Sequence, residues 1–178
     1  MLQKYFIAVI PPEPVYSEIE SVKKEVSAKY NNKSALRSPP HITLHMPFEW
    51  KSEKENILIE SLQNFSFTET FHAELKNYSC FEPKVVFIDV VPNEKLTSLR
   101  NNLVAHVKQN LNIFNQSGDM RAFHPHITIA FRDLKKSAFY EMMEEYRNKN
   151  YDAKFPVTSF FLLKHSGKHW EAYKEFRL

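Results

Sequence analysis

The tripeptide His-Ile-Thr occurs twice in this chain, each time directly after a proline and before an apolar residue. The two stretches read Pro40-His41-Ile42-Thr43-Leu44 and Pro125-His126-Ile127-Thr128-Ile129. Side chains alternate between the two faces of a strand, so each histidine and its threonine point to one side and the apolar residues to the other. Each stretch therefore predicts a half-buried strand whose exposed face carries an imidazole and a hydroxyl.

The sequence that precedes the two stretches is repeated as well. Residues 6–12 (FIAVIPP) resemble residues 87–93 (FIDVVPN) at an offset of 81, and each run predicts a strand that leaves its sheet at a proline. Each run is followed by an amphipathic helix with apolar residues three or four apart. These apolar positions are Val15, Ile19, Val22, Val26 and Tyr30 in the first copy and Leu96, Leu99, Leu103, Val107 and Leu111 in the second.

The remaining elements follow the same order in both halves. Polar loops at 31–38 and 115–121 lead into the His-x-Thr stretches, which lie 85 residues apart. A capping box at 52–55 predicts a helix to about residue 65, matched by a helix at 137–148. Strand-like runs at 71–81 and 155–165 come next, and 85–91 matches 170–176. The mixture favours an α+β fold. We predict one domain over 1–178, built from two similar lobes of about 1–84 and 85–178, and leave open whether the lobes exchange strands.

Composition excludes several classes of protein. The chain has 43% hydrophobic residues, as expected of a globular protein, and no run of 18 apolar residues that predicts a membrane span. Its two glycines form neither of the glycine-rich loops that bind nucleotide phosphates, so no cofactor is expected. A net charge of +3 permits an anionic substrate. The single Cys80 and the lack of a signal-peptide pattern favour a cytoplasmic location, and nothing predicts an obligatory protein partner.

The two His-x-Thr pairs suit acid–base chemistry on a phosphate ester. An imidazole titrates near neutral pH, so it can take up or release a proton there. A threonine hydroxyl can donate a hydrogen bond to a phosphate oxygen. A pseudo-twofold arrangement of the halves would bring the pairs face to face across a cleft, with one imidazole as base and the other as acid on opposite sides of phosphorus. This chemistry requires no metal. The predicted catalytic residues are His41, Thr43, His126 and Thr128.

With these motifs in this order, the chain resembles the two-histidine (2H) phosphoesterase superfamily, which includes the 2′-5′ RNA ligase-like proteins. The resemblance implies a bilobal fold with two mainly antiparallel sheets around a central cleft and helices outside. It implies hydrolysis of 2′,3′-cyclic phosphates at RNA ends or related phosphodiesters, and 2′-5′ RNA ligation in some members. The expected partner is thus RNA, or a nucleotide with a 2′,3′-cyclic phosphate or a 2′-5′ linkage. By resemblance we favour His126 as base and His41 as acid. Many members carry arginine five residues after the second histidine, where this chain has Phe131 followed by Arg132.

Four further residues are candidates for substrate binding. Arg37 and Arg132 flank the motifs and could contact phosphate, Phe48 could stack on a base, and His124 shares a strand face with His126. No metal site is predicted. His41 and His45 would lie about 13 Å apart on a regular strand, and no carboxylate or cysteine is placed to complete a site around His124 and His126.

Two other functions remain open from the sequence. The same fold and site could act on a small nucleotide, such as an ADP-ribose cyclic phosphate or a cyclic oligoadenylate, because the mild positive charge is no strong signature of RNA binding. Alternatively, the chain could be an RNA- or phosphate-binding module without catalysis. A binding module would not require both imidazoles, so the duplicated motif favours the enzyme.

Overall fold

The computed structural model describes residues 1–115 and 123–178, which form eight strands and four α-helices. The strands are β1 (Leu2–Val9), β2 (Ile42–Lys51), β3 (Phe71–Phe81), β4 (Val85–Val90), β5 (His126–Ala130), β6 (Asp152–Val157), β7 (Ser159–His165) and β8 (Trp170–Arg177). The helices are α1 (Val15–Tyr30), α2 (Glu55–Gln63), α3 (Glu94–Leu111) and α4 (Lys136–Tyr146). Most of the second predicted polar loop, residues 116–121, lies outside the described residues.

The strands form two four-stranded antiparallel sheets, which confirms the predicted fold class. The first sheet has the order β2-β1-β7-β8 and the second has the order β5-β4-β3-β6. Each His-x-Thr strand lies at the edge of its sheet, next to the first strand of its own half. Strands are exchanged between the halves: β3 of the first half pairs in the second sheet, and β7 and β8 of the second half complete the first sheet.

The helices join the two sheets. The apolar stripes of α1 and α3 are confirmed, except that Val22 is only partly buried and Lys23 takes a buried place on α1. Helix α1 packs against β5 of the second sheet, and α3 packs against β2 of the first sheet. One hydrophobic cluster therefore contains residues from both sheets. Among the described residues, no helix is long and apolar enough to cross a membrane.

Two predictions about elements are wrong. The Ser52–Glu55 capping box does not form, because the Ser52 hydroxyl donates to the Met1 carbonyl (3.1 Å) and the Glu55 carboxylate accepts a hydrogen bond from Lys164 Nζ (2.5 Å). Residues 52–54 form a 3₁₀ turn instead. The run 155–165 is not one strand. It spans the second half of β6 and all of β7, which lie in different sheets.

The strand pairing also corrects the predicted alignment of the repeat. In the first sheet Ala8 pairs with Thr43, and in the second sheet Phe87 pairs with Thr128. Relative to the motifs, Phe87 therefore corresponds to Ala8 and not to Phe6, an offset of 79 where the predicted alignment uses 81. A β-bulge follows each threonine at the same point, at Leu44 and at Ile129. The shared bulge shows that the two halves repeat the local backbone as well as the motif.

Candidate active site

Each motif histidine lies at the beginning of its edge strand, and its ring is oriented by a backbone carbonyl. His41 Nδ1 donates to the Pro39 carbonyl at 2.7 Å, and His126 Nδ1 donates to the His124 carbonyl at 2.7 Å. A carbonyl oxygen only accepts, so Nδ1 carries the proton of both neutral rings. In each ring Nε2 is therefore the nitrogen that is free to exchange a proton with a substrate. The accepting carbonyl belongs to the residue two positions before the histidine in both halves.

A phenylalanine on the neighbouring strand packs against each motif ring. Phe6 lies 4.8 Å from His41 and Phe87 lies 4.8 Å from His126, measured between ring centroids. Phe81 adds an edge contact to His126 at 5.1 Å, and Trp170 packs edge-on against Phe6 at 4.7 Å. Sequence reasoning did not assign these rings to the site. Phe6 and Phe87 are not equivalent positions of the repeat, because Phe87 corresponds to Ala8, so the sequence carried no signal for these rings.

Burial and neighbouring charge favour the neutral form of both imidazoles. Desolvation is the largest influence on His41, and with repulsion from Lys23 and His126 it lowers the pKa to about 4, against the bond to Pro39. Desolvation also lowers the pKa of His126. The charge of His126 reaches His41, and strands β2 and β5 contact each other. The two imidazoles are thus close enough to influence each other electrostatically.

The groups behind the two histidines differ between the lobes. Lys23 is 1% exposed, and its Nζ donates to the Ser38 carbonyl at 2.6 Å, next to the residue that orients His41. On the other side, Asp89 pairs with His126 across the strands, and Asp89 Oδ1 lies 2.9 Å from His124 Nε2. The Asp89 carboxylate raises the pKa of His126 against the effects of burial and of the His124 charge. His41 therefore lies near the Lys23–Glu20 ion pair, and His126 lies near both His124 and the Asp89 carboxylate.

The two threonines complete the predicted set. Thr43 and Thr128 are partly exposed, and each lies two residues after its histidine on the same strand face. The bulge begins only after the threonine, so it leaves the His-x-Thr alternation intact. Both hydroxyls can therefore donate towards an anion held between the imidazoles.

The four predicted substrate-binding residues lie in different surroundings. Arg37 lies at the end of a 3₁₀ turn (Ser34–Arg37) that precedes His41, and His124 lies beside His126 with ring centroids 6.3 Å apart. Phe48 is 9% exposed and stacks on Tyr5 in the core, so its prediction as a base-stacking residue is wrong. Arg132 lies two residues beyond the end of β5 opposite to His126, where its guanidinium packs over Phe131. The structure does not bring Arg132 to the motif side chains.

The bulge places His45 in the core, although it lies only four residues after His41. The extra residue at Leu44 turns His45 into the core, where it is fully buried and packs edge-on against Phe48 at 5.3 Å. Its Nδ1 donates to the Met46 carbonyl at 2.9 Å, and Nε2 has no hydrogen-bond partner among the described residues. Within residues 1–115 and 123–178, no group of three or more histidine, cysteine or acidic side chains is arranged to hold a metal ion.

Comparison with known proteins agrees with this geometry. Residues 11–169 match the model of the 2′-5′ RNA ligase superfamily. The chain belongs to this superfamily of 2H phosphoesterases. Two relatives, each named "Putative phosphoesterase", come from Geobacillus sp. (strain WCH70) and Bacillus pumilus (strain SAFR-032). The first is 28% identical over 97% of this chain and 95% of its own length, and the second is 25% identical over 98% and 97%.

Solved structures share the fold of this 2H phosphoesterase over its whole length. Escherichia coli LigT complexed with 3′-AMP superposes with a TM-score of 0.67 at 22% identity, covering 100% of this chain and 99% of LigT. The protein TT0787 of Thermus thermophilus superposes with a TM-score of 0.66 at 22% identity, covering 98% and 97%. The two-lobed arrangement expected from the resemblance is thus confirmed as the fold of this chain.

Proposed function

We propose that this 2H phosphoesterase is a metal-independent phosphodiesterase that opens 2′,3′-cyclic phosphates at RNA ends or closely related phosphodiesters. The observation that carries the proposal is the matched pair of imidazoles, each oriented by a carbonyl bond of 2.7 Å to Nδ1 and each left with a free Nε2. LigT, which shares the fold, has been crystallised with 3′-AMP, a nucleotide of the kind this reaction yields.

The proposed reaction needs one neutral and one protonated imidazole. Nε2 of the base removes a proton from water as the water oxygen bonds to phosphorus. The bond from phosphorus to one ribose oxygen breaks, and the acid gives its Nε2 proton to that oxygen, leaving a phosphomonoester. Thr43 and Thr128 donate to the non-bridging oxygens. An anion nearby favours protonated imidazole, so binding of the phosphodiester raises the pKa of both rings. One of the two rings then takes up a proton.

The surroundings of the rings support His41 as base and His126 as acid, the reverse of the assignment favoured by resemblance. Burial and Lys23 lower the pKa of His41 to about 4, whereas at His126 the Asp89 carboxylate opposes the lowering of the pKa by burial and by the charge of His124. A ribose 5′-hydroxyl in place of water would attack the same cyclic phosphate with the same two roles: the base takes the hydroxyl proton, and the acid protonates the 3′-oxygen that leaves, so that a 2′-5′ linkage forms. Ligation is therefore part of the proposal, as the same displacement with a different nucleophile.

The test is turnover of a nucleoside 2′,3′-cyclic monophosphate in the presence of EDTA. We expect turnover to survive the chelator, and His41→Ala and His126→Ala each to lower kcat by about 10²–10⁴-fold, the usual value of one acid–base group. His72→Ala is the matched control, because His72 is exposed on β3. Loss of turnover with EDTA, or full activity in either motif variant, would contradict the proposal. Turnover of an ADP-ribose cyclic phosphate alone would support the proposed acid–base chemistry and would replace the RNA end as the proposed substrate.

A further inference from the structure

A cavity of about 370 Å³ opens on the first sheet beside the His41 motif and has no part in the acid–base chemistry. Its walls come from the end of β1, the first turns of α1, the 3₁₀ turn before His41, β7 and the start of β8. The residues that decide its character are Tyr16, Glu20, Arg37, Phe161, His169 and Trp170. Its volume falls within the usual range of small-molecule sites, about 300–1,000 Å³.

Two residues of the cavity wall, Pro39 and Trp170, link the cavity to His41. Pro39, whose carbonyl orients His41, is part of its wall. Trp170 is also part of the wall, and it packs edge-on at 4.7 Å against Phe6, which lies 4.8 Å from His41. A ligand in the cavity would therefore lie next to the residues that orient and pack against His41.

The chemistry of the walls suits a flat, uncharged group better than a phosphate. Three aromatic rings line the cavity, and a base can stack on such rings whatever its identity. Charges of opposite sign also line it: Arg37 is balanced by Glu171, and the second acid, Glu20, is bound by Lys23 Nζ at 2.8 Å. Carboxylates at this position would repel a phosphate but can accept hydrogen bonds from ribose hydroxyls or base amino groups.

We propose that this cavity binds the nucleoside of the substrate, with the base against Trp170 and the ribose directed towards His41. The assignment rests on the proposed function, because it places the nucleoside by reference to a phosphate held between His41 and His126. The cavity thus accounts for recognition of a nucleotide by a site whose catalytic groups contact only phosphate.

Two cyclic phosphates that differ in the presence of a base test the proposal. With Trp170→Ala we expect kcat/KM for a nucleoside 2′,3′-cyclic phosphate to fall at least about tenfold more than kcat/KM for glycerol 1,2-cyclic phosphate, because only the first substrate has a base that loses its stacking partner. Trp170→Phe keeps a ring and should restore most of the affinity. Equal effects on both substrates, or no effect on either, would overturn the assignment.

A binding measurement separates this proposal from the proposed activity. In a Trp50→Phe variant, Trp170 is the only tryptophan, so its fluorescence reports on the cavity. We expect a nucleoside 3′-monophosphate to quench this fluorescence saturably and inorganic phosphate to leave it unchanged. Quenching without turnover of any cyclic phosphate would sustain the cavity assignment and defeat the proposed function. Turnover without quenching would defeat the cavity assignment alone. Thermal denaturation of each variant establishes that the fold is intact.

Discussion

At the scale of single residues, the pKa of each motif imidazole depends on the charged groups that lie near it. The alternation of a strand was enough to predict that His41 and Thr43, and His126 and Thr128, share a face. It gave no information on Lys23 or Asp89, because these residues reach the histidines from α1 and β4 through the fold. Phe48 failed as a prediction for a similar reason, since a ring near a motif packs in the core or lines the cleft according to strand register.

The first prediction concerns Asp89 and the pH dependence of kcat/KM. For His41 as base and His126 as acid, the acid limb of the profile reports His41 and the basic limb reports His126. Asp89 raises the pKa of His126, so Asp89→Asn should lower that pKa and move the basic limb to lower pH. The acid limb should stay in place. The measurement is kcat/KM for a nucleoside cyclic phosphate from about pH 3 to pH 9, a range that covers the pKa of His41, lowered to about 4, and the ordinary pKa of an imidazole.

Asp152→Asn is the control for this change, because Asp152 is an exposed carboxylate on β6. It should leave both limbs unchanged. A shift of the acid limb in Asp89→Asn, with the basic limb fixed, would contradict the assignment of the basic limb to His126.

At the scale of secondary structure, the sequence predicted the elements better than their alignment. Helices α1 and α3 agree with the apolar spacing, because each stripe of three- and four-residue steps has one possible buried face. Strand register is harder, because moving a strand by two residues returns every side chain to the same face. This is why the alignment of Phe6 with Phe87 looked correct at 81 residues although the pairing uses 79.

The bulges after Thr43 and Thr128 have no signal in the pattern of the sequence. Residues 44 and 45, like residues 129 and 130, are adjacent and both buried, which a regular edge strand with one exposed face does not allow. The prediction assumed that His41 and His45 lie on one face of a regular strand, and this assumption was therefore wrong. The bulge gives the chain an exposed His-x-Thr face and a buried His45 within five residues.

His45 should make the fold sensitive to acid. Burial lowers the pKa of His45 below its usual value in the unfolded chain. A histidine with a lowered folded pKa contributes stability above its unfolded pKa, near about 6.5, and that stability is lost as the pH falls towards the folded value. His45→Leu removes this group at similar volume, so the free energy of unfolding should fall less between about pH 7 and pH 5. Urea denaturation at a series of pH values measures the difference.

The matched control for His45→Leu is His72→Leu, which removes an exposed histidine and should leave the pH dependence as in the wild type. His41 and His126 contribute in the same direction, so the dependence is reduced and not abolished. An unchanged dependence in His45→Leu would show that His45 is not buried as a neutral group.

At the scale of the whole molecule, the two lobes are held together by exchanged strands, by helices that pack on the opposite sheet and by one buried amide. Asn32, 1% exposed after α1, donates from Nδ2 to the Phe131 carbonyl at 2.7 Å and to the Asp133 carboxylate. Asp133 also accepts from the backbone nitrogens of Lys33 (3.0 Å) and Ser34 (3.2 Å). The composition identified residues 31–38 only as a polar loop, since nothing local shows that the Phe131 carbonyl, 99 residues away, is its partner.

Removal of the Asn32 side chain should destabilise the whole protein. Asn32→Ala removes the donor to the partly buried Phe131 carbonyl and one of three donors to Asp133, which is exposed and keeps the Lys33 and Ser34 amides. We expect the free energy of unfolding to fall by about 1–3 kcal/mol in urea, because each lost hydrogen bond contributes about 0.5–1.5 kcal/mol. Asn56→Ala, at an exposed position of α2, is the control and should stay within about 0.5 kcal/mol of wild type. A change in Asn32→Ala no larger than the control would refute the role of this contact.

The central claim is that two imidazoles encoded 85 residues apart act on a single phosphate. The most direct test is a titration of the histidine ring nitrogens by NMR with a nucleoside 3′-monophosphate, with assignments from His41→Ala and His126→Ala. We predict that the Nε2 signals of both histidines shift along one saturation curve with a stoichiometry of one, and that the pKa of both rings rises on binding. Shifts confined to one ring, or two curves with separate affinities, would contradict the claim.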